Sequence, residues 1–393
     1  MLNEQLLQER LRNFKPAPLI EYVGEEKKKE DIEIPMIVED ANNIDLAKAN
    51  YLNMLDDDEI KKISEDTIRK YGVGTCGPRA FYGTTDVHLE LEERIAKFLG
   101  LEEAIVYSYG FVAISSSIAA YCKKSDVIFA DEHANFPIQQ GLLAAKSKVV
   151  TFNHNDAKSF ETMAERIAEE EKSKKKKSRK FLVIEAVSWK TGQICPLLDF
   201  LEVAEKYKIR VFLEESYSIG ILGKTGKGLT EHLDVGPNRV DMIIGTLENA
   251  LGSIGGFCAG THMTIEHQRL SGSGYIFSAS LPTFLVQAVI KSIDVLEDKP
   301  NKIRQCAKEF HDVLQQNYRV LSDAEVPYKV FNVKDEKNRE EKLKRVYEYC
   351  KEKGVHFLMK DGNLIINLNL ALFDDKKRST FVYEVLEQAS TLN

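Results

Sequence analysis

The stretch YGVGTCGPRAFYGTTDVHLELE, residues 71–92, carries the densest signal in the chain. Gly72, Gly74, Gly77 and Gly83 crowd into it. Glycine at that density marks a constrained loop that a ligand or a neighbouring backbone approaches closely. Arg79 is the charged group inside the loop. The pattern then turns helical. LELEERIAKFLG sets Leu91, Ile95, Phe98 and Leu99 on one face and stops at Gly100.

Working outward, short apolar runs recur at 104–107, 127–130, 149–152, 181–185, 211–213 and 242–245. Amphipathic segments separate several of them, such as PLLDFLEVAEKY with Pro196 just inside its start. Runs that are continuous rather than alternating predict a sheet covered on both faces, hence an α/β, mostly parallel fold. After about residue 300 the character changes. NKIRQCAKEFHDVLQQNY predicts a helix with Ile303, Cys306, Phe310 and Val313 on one face. REEKLKRVYEYCKEKG predicts another helix, NLIINLNLALF a strand, and the end a last helix. The expected organisation is an N-terminal arm and linker over 1–65, a large domain over 66–300 and a small α+β domain over 301–393. The arm reads as helix-like at first, then EEKKKED, then a short apolar piece at 32–38.

Composition narrows the function. With 393 residues, 43% of them hydrophobic, the chain can bury a large core. A net charge of -7 argues against a nucleic-acid binder. The six cysteines form no C-x-x-C pair and sit mostly in apolar segments, so reduced, buried thiols are expected. Ala104–Cys122 and Leu270–Ile290 are long and uncharged enough to raise the question of a membrane. Their internal turn residues read instead as strand or loop running into a core helix. EEEKSKKKKSRK at 169–180 predicts a solvated loop, with contact to an anionic membrane surface as the second reading.

Two familiar motifs fail. Gly223-Lys224-Thr225 lacks the glycine a phosphate loop needs, because Ser218 stands there. The eight histidines contain no H-x-H or H-E-x-x-H, so no metal site is expected. GTLENALGSIGG at 245–256 looks like a site loop, a strand end followed by polar residues and glycines. Yet Glu248, Asn249 and Ser253 supply neither a nucleophile nor a positive charge.

The loop at 71–92 resembles that of the α-oxoamine synthases, fold-type I pyridoxal phosphate (PLP) enzymes that join an amino acid to an acyl-CoA. Arg79, Gly83, His88, Leu91 and Glu92 fall on the family's R-x-x-x-G-x-x-x-x-H-x-x-L-E. YSYGFVA at 107–113, LEESYSIGILGKTGKG after the 211–213 run and GYIFSASLP at 274–282 resemble further family segments in the same order. The resemblance spans roughly 50–300. It implies the PLP-dependent transferase (aspartate aminotransferase-like) fold, a mostly parallel large domain plus a smaller α+β one.

The resemblance also explains the unreactive loop. The family's Schiff-base lysine falls on Asn249, an amide that cannot form that link. The acid paired with the pyridinium nitrogen falls on Glu214, the histidine beside it on Tyr217, and the ring-stacking histidine on Asn135, with His133 two positions away. A family serine falls on Trp189, and a substrate-carboxylate arginine falls near Ile365. No residue of this chain is therefore expected to be catalytic, and Asn135, Glu214, Tyr217 and Asn249 outline a degenerate pocket.

These losses are most similar to the lysine-lacking subunits of the serine palmitoyltransferase branch, which work as heterodimers with a lysine-bearing sister. That implies PLP held by the partner and none covalently bound here. It implies that Ser278 and Ala279 reach the partner's site and that Arg79, Tyr82 and Gly83 form an interface loop. It implies the cytosolic face of the endoplasmic reticulum, with small membrane regulators as further partners. Such subunits usually begin with a hydrophobic anchor, and no such stretch is expected in this sequence. Two other readings stay open: an independent PLP-dependent acyltransferase using Lys224 or Lys227, and a purely scaffolding or regulatory module.

Overall fold

The computed structural model describes residues 43–335 and 337–392, so the arm expected before residue 43 lies outside the described residues. Seven strands build the main sheet: β1 (Glu103–Tyr107), β2 (Val127–Asp131), β3 (Lys148–Phe152), β4 (Lys180–Glu185), β5 (Arg210–Glu214), β6 (Met242–Thr246) and β7 (Gly256–Gly260). Their spatial order is β1-β7-β6-β5-β4-β2-β3. β7 is antiparallel to both its neighbours, and the remaining pairs are parallel. The α/β, mostly parallel expectation holds.

Helices cover the sheet, and their ranges follow from local chemistry. They are α1 (Asp58–Tyr71), α2 (Asp86–Leu99), α3 (Gly110–Tyr121), α4 (Phe136–Ala145), α5 (Ala157–Glu170), α6 (Leu197–Tyr207), α7 (His262–Ser271) and α8 (Thr283–Asp294). α2 starts in a capping box made by Thr85 and His88 and ends on Gly100 at φ 72°, where a glycine costs least. The central strand β4 buries every residue after its first lysine, as a strand covered on both faces must. β3, at the sheet edge, alternates and opens with an exposed lysine, which blunts edge pairing.

The C-terminal part carries α9 (Lys299–Asn317), β8 (Tyr318–Val320), β9 (Tyr328–Val333), α10 (Arg339–Glu352), β10 (Leu358–Lys360), β11 (Asn363–Asn367) and α11 (Lys376–Ser390). Its strands form an antiparallel sheet in the order β10-β11-β9-β8. The strand expected over NLIINLNLALF is half strand and half helix. β11 ends at Asn367, and Asn369 caps a new turn over Leu370–Asp374 by accepting from Leu372 N. The buried face of α9 is Ile303, Ala307, Phe310 and Leu314, so Cys306 and Val313 flank it rather than line it. Pro196 sits at the cap of α6 rather than just inside it, so the helix begins one residue later than expected, at Leu197.

Within the main sheet, β7 is the strand that the sequence pattern does not announce, because GFCAG is short and glycine-flanked. The glycines have a packing reason. A Cβ on Gly256 would lie 2.6 Å from Ala113 Cβ, and one on Gly110 2.3 Å from the Thr246 methyl. Only bare backbone lets the start of α3 rest on the β6–β7 turn. Four cysteines are buried as expected, but Cys76 is exposed and Cys306 is half-buried. Lys172–Lys177 are exposed, as expected of a solvated loop. Among the described residues no helix is long and apolar enough to cross a membrane. The uncharged span 104–122 is β1 running into α3.

Candidate functional site

The parallel strands β2, β4, β5 and β6 end on one edge of the sheet, where open α/β sheets carry their ligands. The register sets Glu185, the last residue of β4, opposite Glu214, the last of β5. Asn135 caps α4 beside them. Its Oδ1 accepts from Ile138 N at 2.9 Å, and its Nδ2 donates to Glu214 Oε2 at 3.2 Å. Its backbone N–H donates to Glu185 Oε2 at 3.0 Å. Ser216 continues the chain of contacts. Its N–H donates to Glu214 Oε1 at 2.8 Å, and its carbonyl accepts from Asn249 Nδ2 at 2.9 Å. Asn135, Glu214 and Asn249 are thus joined in one network, and the Asn249 amide is committed to a backbone carbonyl.

Aromatic side chains fill the space next to this network. Tyr217 lies against Tyr328 of β9, ring centroids 5.1 Å apart. The Tyr328 hydroxyl donates to Trp189 O at 2.7 Å, and Trp189 Nε1 donates to His133 O at 2.8 Å. The Lys360 ammonium sits 4.6 Å from the Trp189 ring centroid. Ile365, at the position of the expected substrate-binding arginine, is a core residue of β11.

Burial dominates the electrostatics. It pushes the Glu214 carboxyl up to about 7 and Glu215 to about 8, against hydrogen bonds that favour their ionised forms. It raises Glu185 well above the carboxylate range, with the nearby Glu214 charge adding to the effect. The Tyr217 hydroxyl is raised too, by burial first. Around pH 7 burial keeps Glu185 and Glu215 mostly protonated and leaves Glu214 about half ionised.

Glu248 is the residue to which sequence reasoning assigns no role. Its carboxyl lies at Gly110, the first residue of α3, where an added Cβ would meet Glu248 Oε1 at 3.2 Å; burial raises its pKa, and the Gly110 and Gly255 N–H groups pull it back. A helix start presents free N–H groups and a partial positive charge, and is a ready anion site. The chain's own carboxylate has taken it. Glu185, Glu215 and Tyr328 escape the sequence for a related reason, since burial and cross-strand register are not visible in a motif.

PLP needs an amine, an anion cradle and room for a ring. Here Asn249 offers no amine, Glu248 fills the anion position, and Trp189, Tyr217 and Tyr328 crowd the neighbouring space. The residues present do not fit the group. Asp131, His133 and His154 converge within 4.8 Å. Both nitrogens of His154 are engaged, Nδ1 with Asp131 at 2.9 Å and Nε2 with Thr191 Oγ1 at 3.0 Å, which describes a hydrogen-bonded pair.

The remaining expected residues lie together on a second feature. Arg79 turns inward: Nη1 donates to Glu92 Oε1 at 2.7 Å and Nε to Thr84 Oγ1 at 3.0 Å. His88 Nδ1 accepts from Thr85 N, so Nε2–H donates to Leu281 O at 2.8 Å. Ser280 N donates to Gly77 O, and Pro78 bridges Ala279. The Ser108 hydroxyl bonds the Ala279 carbonyl. These contacts bind the 71–85 loop, the start of α3 and the 277–282 segment to one another. Gly83 closes the loop through its N–H to Pro78 O at 3.0 Å. Large apolar side chains stand outward on the bound segments: Phe81, Tyr82, Tyr109, Phe111 and Phe277, with Phe136 of α4 against Phe111 at 5.9 Å. Tyr82 is 90% exposed and Phe277 79%. Ser278 is half-buried and Ala279 exposed beside them.

A family model, Aminotransferase class I and II, matches residues 41–361. The chain belongs to the aminotransferase class I and II family. Within it, the chain is 43% identical over 309 residues to "Long chain base biosynthesis protein 1b" of Oryza sativa subsp. japonica, covering 76% of this chain and 63% of that protein. It is 44% identical over 272 residues to "Serine palmitoyltransferase 1" of Dictyostelium discoideum, covering 69% of this chain and 57% of that one. The matched part is under two thirds of either relative's length. A serine palmitoyltransferase from S. paucimobilis, solved with a bound PLP–myriocin aldimine, superposes with a TM-score of 0.80 at 26% identity over 88% of this chain and 87% of its own. The fold of this family member is therefore that of the PLP-dependent transferases, as expected.

Proposed function

We propose that this aminotransferase-family chain is the non-catalytic subunit of a heterodimeric serine palmitoyltransferase, which condenses L-serine with palmitoyl-CoA to 3-ketosphinganine, releasing CoA and carbon dioxide. The observation that carries the reading is the exposed aromatic face on the bound loops. Soluble chains seldom leave so many large apolar side chains together in water, and such a patch marks a protein partner. The relatives named above support the activity, and the unfit pocket supports its division between two chains.

In this reading the partner brings the lysine and holds PLP, which supplies the electron sink for breaking the serine carboxyl bond. This chain supplies surface and order. Arg79 and His88 keep the 71–85 loop and the 277–282 segment rigid. Tyr82, Phe81 and Phe277 exclude water from the seam. Ser278 presents a hydroxyl toward the partner's site, and Ala279 presents backbone only. Gly83 lets the loop close. The small domain from 301 packs the start of its inner strand β9 on the degenerate pocket through Tyr328. The cytosolic face of the endoplasmic reticulum is the proposed location, and the exposed lysines 172–177 suit an anionic membrane surface.

Co-expression with a lysine-bearing sister subunit tests the reading. Serine-dependent CoA release should need both chains, and Ser278→Ala should lower it while assembly is preserved. Full activity of the pair after disruption of the aromatic face would favour a scaffolding or regulatory role elsewhere on the chain.

A further inference from the structure

We infer that Glu248 is the residue that shuts phosphorylated ligands out of this chain, by occupying from within the anion position between the Gly110 and Gly255 N–H groups. PLP is implied by the fold family, and the disagreement between that group and these side chains has one identifiable centre. The start of the twelve-residue α3 and the turn before β7 both come up to the Glu248 carboxyl, whose pKa burial raises and the Gly110 and Gly255 N–H groups pull back. The carboxyl packs closely against the start of α3. A Cβ placed on Gly110 would meet Glu248 Oε1 at 3.2 Å and the Thr246 methyl at 2.3 Å. A phosphate would have to displace the carboxylate, take over both N–H groups and leave the Glu248 charge close to its own. The next residue, Asn249, is tied to Ser216 O, so the turn that carries Glu248 is anchored against swinging away.

This makes Glu248 a specificity residue in a family member whose fold retains the helix-start geometry for an anion. Loss of the lysine alone would leave the anion position open, whatever the aromatic side chains do to the ring space. The carboxylate closes that position as well. The inference stands on this chain's own geometry and not on the function proposed above, so the failure of one leaves the other intact.

The test is calorimetric titration of the purified full chain with inorganic phosphate and, separately, with PLP. The parent chain should give no binding heat with either. Glu248→Ser removes the charge and opens the volume, and should gain phosphate affinity by about tenfold or more. Glu248→Gln fills the same volume without charge and should stay closed to both probes. Amide hydrogen exchange on the parent chain gives a second readout that does not depend on how a variant folds. The Gly110 and Gly255 N–H groups should exchange slowly, with rates unchanged by added phosphate. Phosphate or PLP binding by the parent chain, protection of those two amides by phosphate, or a folded Glu248→Ser chain without phosphate affinity would each overturn the inference.

Discussion

Arg79 Nη1 meets Glu92 Oε1 at 2.7 Å with both side chains nearly sealed from solvent. The same Glu92 oxygen accepts from Val106 N at 2.9 Å, so one buried carboxylate ties the glycine-rich loop to α2 and to β1. A charge pair of this kind is costly to break from one side, because the survivor stays buried without a partner. Arg79→Met should destabilise the chain by about 3–5 kcal/mol, and Arg79→Met with Glu92→Leu should recover part of that loss, Val106 N being left without its acceptor. Urea unfolding followed by circular dichroism reads the difference. Equal midpoints for single and double variants would show that the pair does not hold the loop.

The buried carboxyls predict a pH dependence. Glu214 and Glu215 titrate near 7 and 8 in the folded chain against 4.5 for the free group. Between those values the folded chain keeps protons that the unfolded chain has released, so stability falls as pH rises from about 4.5 to about 8 and then levels off. At most, Glu214 contributes about 3 kcal/mol and Glu215 about 5 kcal/mol to that fall. Glu214→Gln keeps the shape without the titration and should flatten the curve. Thermal melts at pH 5.5 and pH 8 test the sign, which is opposite to that of carboxylates held in salt bridges.

The aromatic face should matter for assembly and little for folding. Tyr82→Ser and Phe277→Ser each remove an exposed ring, so the thermal midpoint of the isolated chain should move by no more than about 2 °C. Affinity for the lysine-bearing partner should fall by about tenfold or more per ring. Sedimentation of the pair measures it. Unchanged association would place the partner surface elsewhere.

Restoring the lysine alone should not restore a cofactor site. Asn249→Lys, incubated with PLP, should gain no visible absorbance band, since Glu248 still fills the anion position and Trp189 the neighbouring space. Asn249→Lys with Glu248→Ser should bind PLP more tightly than either single change. A coloured single variant would mean that the pocket is closed less firmly than its side chains imply.

The sheet was legible because continuous runs such as 181–185 can only be strands covered on both faces. Gly100 was legible as a helix end because a left-handed cap admits few other residues cheaply. β7 was not, since five residues with a glycine at each end read as loop until their neighbours are known. α9 shows the limit of periodicity. Cys306 and Val313 share a helical stripe with Phe310, yet a small rotation puts Ala307 and Leu314 in the core instead. In the site, Asn249, Glu214 and Asn135 were singled out by resemblance alone, and the structure joins them in one hydrogen-bonded network. Glu248 was not singled out that way. Its role depends on Gly110, far off in sequence, reaching the same point in space. Arg79 reads in the sequence as the charged group of an interface loop, and only its contact with Glu92 shows it to be an internal strut.

The most direct measurement is serine-dependent CoA release by this chain purified alone, set beside the same chain co-purified with a lysine-bearing sister. The account predicts no turnover above background from the single chain and robust turnover from the pair. Turnover by the single chain, or borohydride-stable attachment of PLP to it, would contradict the claim that the chemistry is carried by the partner.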